Sequence, residues 1–167
     1  IHTVVYNNID KFNFLFPHEK DFYGLSYLFK INHKGDFLDI GGNIGLSTIG
    51  FRSLGFTKNR IFIFEPNINY CEEKLKIIKK KYDKIFFYPF GLSSQDRKLN
   101  IYTPIYNKKI FHFLSSSEKS YVIKKLKYHY KSKSKYFKLH KNKITLKKYD
   151  NLKFKIKPTF VKIDVEG

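Results

Sequence analysis

The sequence predicts an α/β protein organised around a parallel β-sheet. Three runs, 37–40, 61–64 and 85–90, are apolar without alternation, the pattern of strands covered on both faces. Segments with helical spacing separate them, and strand, helix, strand, helix, strand is the order of a parallel sheet with right-handed crossovers. A fourth buried strand is expected at 160–163, ending at Asp164.

Each element follows from local pattern. Residues 1–17 are mixed, with no clean period. Phe22, Leu25, Leu28 and Phe29 recur at helical spacing, so a helix is expected over 21–30. Residues 32–35 form a turn and 37–40 the first strand. Gly41, Gly42 and Gly45 then turn the chain into a helix over 46–54, with Gly55 placed to end it. The second strand, 61–64, closes at Glu65 and Pro66. Asn67 is a plausible cap for a helix whose Cys71, Leu75, Ile78 and Tyr82 share one face. Beyond the third strand the pattern changes. Leu99 with Ile101, and Ile144 with Leu146, alternate as half-exposed strands do. Residues 119–148 hold twelve lysines and no acid, and are expected to be an excursion from the sheet.

Composition narrows the function classes. The 167 residues carry 33 Lys and Arg against 14 Asp and Glu, a net charge of +19. The single cysteine, Cys71, excludes an intrachain disulfide, and its place on an apolar helix face marks it as core. This fits a reducing, cytoplasmic setting. No apolar run approaches the roughly 20 residues of a membrane-spanning helix. The six histidines show no metal-ligand spacing, so no metal site is expected. There is no Met, Ala or Trp, while Lys, Asn, Ile, Phe and Tyr abound. A/T-rich codons explain the lysines without a basic ligand. The missing Met and an end directly after an apolar run lead us to expect a piece of a longer protein.

In open parallel sheets a ligand lies beyond the carboxyl ends of the strands. Three strand ends carry acids here: Asp39, Glu65, and the pair Asp164 and Glu166. Glu65 follows Gly45 by 20 residues, where an acid accepts hydrogen bonds from ribose hydroxyls. The dinucleotide fingerprint G-x-G-x-x-G is broken, because Asn43 stands at its second glycine and Asp39 would repel a pyrophosphate. Acids converging on one crevice suit a cationic ligand, and S-adenosylmethionine carries a sulfonium, an ammonium and a ribose diol. Other roles stay open at this point. Asp39 could cap the glycine turn, Glu65 could be a helix-entry acid, and Asp164 and Glu166 could be surface acids or ligands of a divalent cation.

The runs Phe37-Leu38-Asp39-Ile40-Gly41-Gly42-Asn43-Ile44-Gly45, Ile63-Phe64-Glu65-Pro66-Asn67 and Val161-Lys162-Ile163-Asp164-Val165-Glu166-Gly167 occur in that order. This ordered set resembles the FkbM-type class I methyltransferases, with their D-x-G-A-N-x-G, F-E-P and K-I-D-V-E-G motifs. Phe90-Gly91-Leu92-Ser93-Ser94-Gln95-Asp96 also resembles the stretch after the family's third strand. The resemblance covers roughly 36–167 and implies a Rossmann-like class I methyltransferase sheet, here truncated after its fourth strand. Residues 1–35 are then a helical lead-in, and 36–167 a partial methyltransferase domain with a Lys-rich excursion at 119–148. Gly42 stands where the family has Ala, a small change on this reading.

The resemblance implies S-adenosylmethionine as cofactor. Asp39, Gly41, Gly42 and Gly45 would line its methionine end, with Asn43 shaping the turn, and Glu65 would hold the ribose. Gly91, Leu92 and Ser93 would meet the adenine. Asp164 and Glu166 would lie beside the transferred methyl group, either able to act as base. The implied acceptor is an oxygen, less readily a nitrogen, of a saccharide or secondary metabolite. Two other classes stand beside this one: a nucleic-acid-binding module built on the lysines and on Tyr128, Tyr130, Tyr136 and Phe137, and a dinucleotide-dependent oxidoreductase. A catalytically dead remnant is a further alternative.

Overall fold

The computed structural model describes residues 34–165. The helix expected over 21–30, most of the 1–35 lead-in, and Glu166 lie outside the described residues.

Four strands form an all-parallel sheet: β1 (Asp36–Ile40), β2 (Ile61–Phe64), β3 (Ile85–Tyr88) and β8 (Pro158–Ile163), in the order β3-β2-β1-β8. This order is compatible with a Rossmann-like arrangement. Side chains alternate across such a sheet, and Phe37, Ile61, Ile63, Ile85 and Phe160 share one core. Two helices cover it, α1 (Leu46–Ser53) and α2 (Ile68–Lys81). The expected face of α2 is the buried one, through Cys71, Leu75 and Ile78, with Tyr82 packed beside it. From α1, the Phe51 ring stacks on Phe37 at 4.4 Å and Phe56 at 4.2 Å, and meets Phe160 edge-on at 5.6 Å. Gly55 ends α1 as expected: at φ 93° it donates its N–H to the Arg52 carbonyl.

On the opposite face Leu38, Phe62, Phe64 and Phe90 are buried under Tyr149, Leu152, Phe154 and Ile156. The chain crosses this face on its way into β8. The outer edge of β8 has no strand partner among the described residues, and Val161 and Ile163 are exposed there.

β3 stops at Tyr88, two residues short of the sequence expectation, because Pro89 has no N–H to extend a ladder. The chain then leaves the parallel sheet for a second one. It contains β4 (Gly91–Ser93), β5 (Arg97–Tyr106), β6 (Lys109–Ile110) and β7 (Lys138–Lys148), ordered β4-β7-β5-β6. β4 runs parallel to β7, while β5 runs antiparallel to both β7 and β6. Of the alternating residues of the sequence reading, Leu99 lies opposite Ile144, while Leu146 lies opposite Arg97 and Ile101 opposite Asn142.

The Lys-rich stretch 119–148 leaves the parallel sheet, but it is not a loop. It contains α3 (Lys119–Tyr130), a 3-10 turn and β7, an interior strand of the second sheet. Val122 and Leu126, one helical turn apart, bury against Leu114 with Tyr102 and Leu139 packed around them. Lysine-dominated composition masked this short apolar stripe.

Buried polar groups fasten the loops. Arg52 lies in the core of α1, and its guanidinium donates to the carbonyls of Phe56, Asn59 at 2.8 Å and Asp83 at 2.8 Å. One side chain thereby holds the loop before β2 and the turn before β3. Asp36 accepts two hydrogen bonds from Arg60, both 2.8 Å, and one from the Lys157 N–H at 2.6 Å. Arg52→Met should lower unfolding stability by about 2–4 kcal/mol, since the buried carbonyls of Phe56 and Asn59 and the part-buried one of Asp83 lose a charged donor. Urea unfolding followed by circular dichroism checks this, and an unchanged midpoint would refute the staple.

Candidate functional site

The parallel sheet places the carboxyl ends of β1, β2 and β8 side by side. The Asp164 N–H donates to the Ile40 carbonyl at 3.0 Å, and Gly41 N–H to the Phe64 carbonyl at 2.9 Å. A cavity of about 450 Å³ opens beyond these ends, within the usual range for small-molecule sites.

Each glycine of the turn has its own reason. Gly41 adopts φ 77°, and a Cβ there would sit 1.9 Å from the Asp164 carbonyl oxygen, so only glycine lets the two strand ends meet. At Gly42 a Cβ would sit 2.3 Å from Ile63 Cγ2. The Gly42-for-Ala departure is therefore not small in this chain, because alanine would push into the sheet. Gly45, at φ 81°, packs against Ile78 of α2. Gly41 and Asn43 line the cavity, while Gly42 and Gly45 are absent from its lining.

Asp39 does not reach the cavity either. It is fully buried beneath the turn, accepting a hydrogen bond from Thr48 Oγ1 at 2.9 Å. Lys162 Nζ stands 3.3 Å from its Oδ1, a charge contact without hydrogen-bond alignment. The same ammonium donates to the Gly41 carbonyl at 2.9 Å and lies 3.7 Å from Asp164 Oδ2. Burial raises the Asp39 pKa above its ordinary value, against the lowering effect of Lys162 and Thr48. Asp39, expected at the methionine end, thus lies beneath the turn against Lys162 and Thr48 and off the cavity lining. Lys162 escaped the sequence reading, which expected 160–163 to be a buried strand; β8 is instead a largely exposed edge strand in which Phe160 is buried and Lys162 half-buried.

Glu65 does line the cavity. Its Oε2 accepts the Asn43 N–H at 2.8 Å and its Oε1 the Asn67 N–H at 2.7 Å. Asn43 can present that N–H because it takes a left-handed φ of 48°. Burial pushes the Glu65 pKa up, with the two N–H donors opposing the shift. Each carboxylate oxygen keeps a further lone pair for a ligand.

Asn67 occupies the expected cap position of α2, but its side chain makes no cap bond. It instead donates to Thr103 Oγ1 at 3.2 Å and accepts from Asn142 Nδ2 at 3.3 Å, joining the two sheets. Tyr70 and His140 make a second such link. The second sheet becomes the far wall of the cavity. Gly91, Leu92 and Ser93 lie on the lining, with Pro66 in contact range of Gly91. Leu99, Ile101, Ile144 and Leu146 give this wall an apolar surface, and Arg97, His112, Ser115 and Ser117 add polar groups the sequence reading missed. Alternation revealed the apolar face of β5 and β7 but not what it faces.

Asp164 lines the cavity with its side chain 59% exposed. Glu166 lies outside the described residues. Cys71 touches the cavity, and burial pushes its thiol pKa far up, so it stays protonated there. No metal-binding cluster of His, Cys, Asp and Glu occurs among the described residues, nor any helix long and apolar enough to cross a membrane.

Comparison with protein-family models, curated proteins and solved structures finds no match to this chain.

The Lys162–Asp39 pair has a pH signature. Lys162 stabilises the ionised form of Asp39, so its loss raises the Asp39 pKa further above the ordinary 3.8. An acid with a raised native pKa destabilises the fold as pH rises through that window. Lys162→Met should therefore lower the urea midpoint more at pH 8 than at pH 5. An equal loss at both would mean that the lysine contributes packing alone.

Proposed function

We propose that this chain is an S-adenosylmethionine-dependent methyltransferase with a Rossmann-like class I sheet, resembling the FkbM family. Its acceptor would be an oxygen of a saccharide or secondary metabolite. The observation that carries the reading is Glu65: a carboxylate at the end of β2, aimed by two main-chain N–H groups, on the wall of a cavity that also holds Asp164.

The donor set fits this cofactor. Glu65 has acceptor capacity left for a ribose diol. Asp164 gives negative charge where an ammonium or sulfonium would need it. The apolar wall around Leu99, Ile144 and Leu146, next to Gly91, suits a flat base. A dinucleotide fits less well, since its pyrophosphate would meet Glu65 and Asp164 at the turn where the fingerprint glycine is replaced by Asn43.

The cofactor, when bound, supplies an activated methyl group. The chain's own part is alignment, because an in-line displacement gains much of its rate from fixed geometry. Glu65 binds and orients the ribose. Gly41, fixed through its carbonyl by Lys162, presents bare backbone to the ligand. Asp164 can accept the acceptor hydroxyl proton at its carboxylate. The apolar wall excludes water from the transfer.

Calorimetry tests this directly. S-adenosylmethionine or its demethylated product should bind and NAD should not. Glu65→Ala should weaken binding by about 1–3 kcal/mol, as for a hydrogen bond to a charged group. Affinity should also fall as pH drops through the raised Glu65 pKa, because protonation removes an acceptor. Tight NAD binding without a response to the sulfonium ligand would overturn the proposal.

A further inference from the structure

A second cavity lies at the other end of the second sheet. β5 sends Arg97, Leu99 and Ile101 toward the first cavity, and Tyr106, on the opposite parity, to the other face. There, an open hollow of about 350 Å³ is lined by the rings of Tyr106, Phe111, Tyr130 and Phe137 together with Asn107, Lys109 and Lys133. The rings converge on Phe137. Tyr106 stacks on it at 5.1 Å, Phe111 meets it edge-on at 5.1 Å, and Tyr130 lies tilted at 4.7 Å. The frame is stiff: Tyr106 and Lys109 pair directly across a two-residue hairpin whose Asn107 and Lys108 both have positive φ.

No carboxylate lines this cavity. Residues 107–148 around it hold fourteen lysines and one acid, Glu118. Two further rings stand in solvent on the same segment, Tyr128 at 79% and Tyr136 at 59% exposure. Phe111, Tyr130 and Phe137 also pack on the Leu114, Val122 and Leu126 cluster, which accounts for part of the ring wall but not for the exposed Tyr128 and Tyr136. Aromatic faces that take flat bases, with cations spaced for phosphates, are how single strands are held without sequence readout.

We propose that this face binds single-stranded nucleic acid, with one base in the aromatic cavity and the adjoining phosphates on Lys109 and Lys133. The proposal is independent of the methyltransferase reading, since no residue of this cavity lines the first one. The lysines then have a chemical use beyond their compositional origin.

Fluorescence anisotropy with a labelled oligouridine decamer and an abasic decamer of the same backbone decides it. The decamer with bases should bind about tenfold more tightly, the loss expected for one stacked base. Tyr106→Leu, which keeps the hollow apolar, should bring the two affinities together. Lys109→Gln with Lys133→Gln should flatten the slope of log affinity against log salt by roughly 0.7 per phosphate lost. Lys76→Gln on α2 should change nothing. If Tyr106→Leu melts early, the abasic comparison on the unchanged chain still decides. Equal binding of both decamers would reduce the face to bare charge and overturn the proposal. Uridine monophosphate binding as tightly as the decamer would overturn the strand in favour of a free nucleotide.

Discussion

The contact between the Lys162 ammonium on the edge strand β8 and the buried Asp39 carboxylate governs the strand ends. Lys162 of β8 stands in register with Asp39 of β1, and parallel pairing puts both side chains on one face. A slip of one residue would place the two charges on opposite faces and leave the buried Asp39 without its partner, at a cost of several kcal/mol. The pair therefore selects one register. That register sets the Asp164 carbonyl against Gly41, which in turn demands glycine there. The acid-lined end of the cavity follows from this alignment.

The rest of the cavity depends on a second sheet that the first does not template. Asn67 is the link, because its N–H aims Glu65 while its side chain holds Thr103 and Asn142. One residue thus couples the orientation of the Glu65 carboxylate to the position of the apolar wall.

The sequence made the parallel sheet legible because its strands are short, continuous apolar runs bounded by Gly, Pro and acids. Gly55 and the buried face of α2 could be read from spacing alone. β4 was hidden: Gly91, Leu92 and Ser93 carry too little apolar signal, and their partner Leu146 is 55 residues from Gly91 in the chain. At the site, the position of Glu65 was legible because it closes a strand. The role of Asp39 was not, since a carboxylate at a strand end looks the same whether it faces a ligand or a buried lysine. Arg52 and Asn67 escaped for a similar reason. Arg52 pairs with main-chain carbonyls of distant loops and Asn67 with side chains of β5 and β7, and such partners leave no mark in composition or period.

The pairing of β1 with β8 also has a consequence in time. Lys162 and Gly41 are 121 residues apart, whereas β1, β2 and β3 are joined by short crossovers. Closing the longer loop costs more entropy and must precede any reward from its contacts. The local β1–β2–β3 unit can therefore assemble while the Gly turn still lacks its lysine. The cavity beyond the strand ends is then completed only when β8 docks.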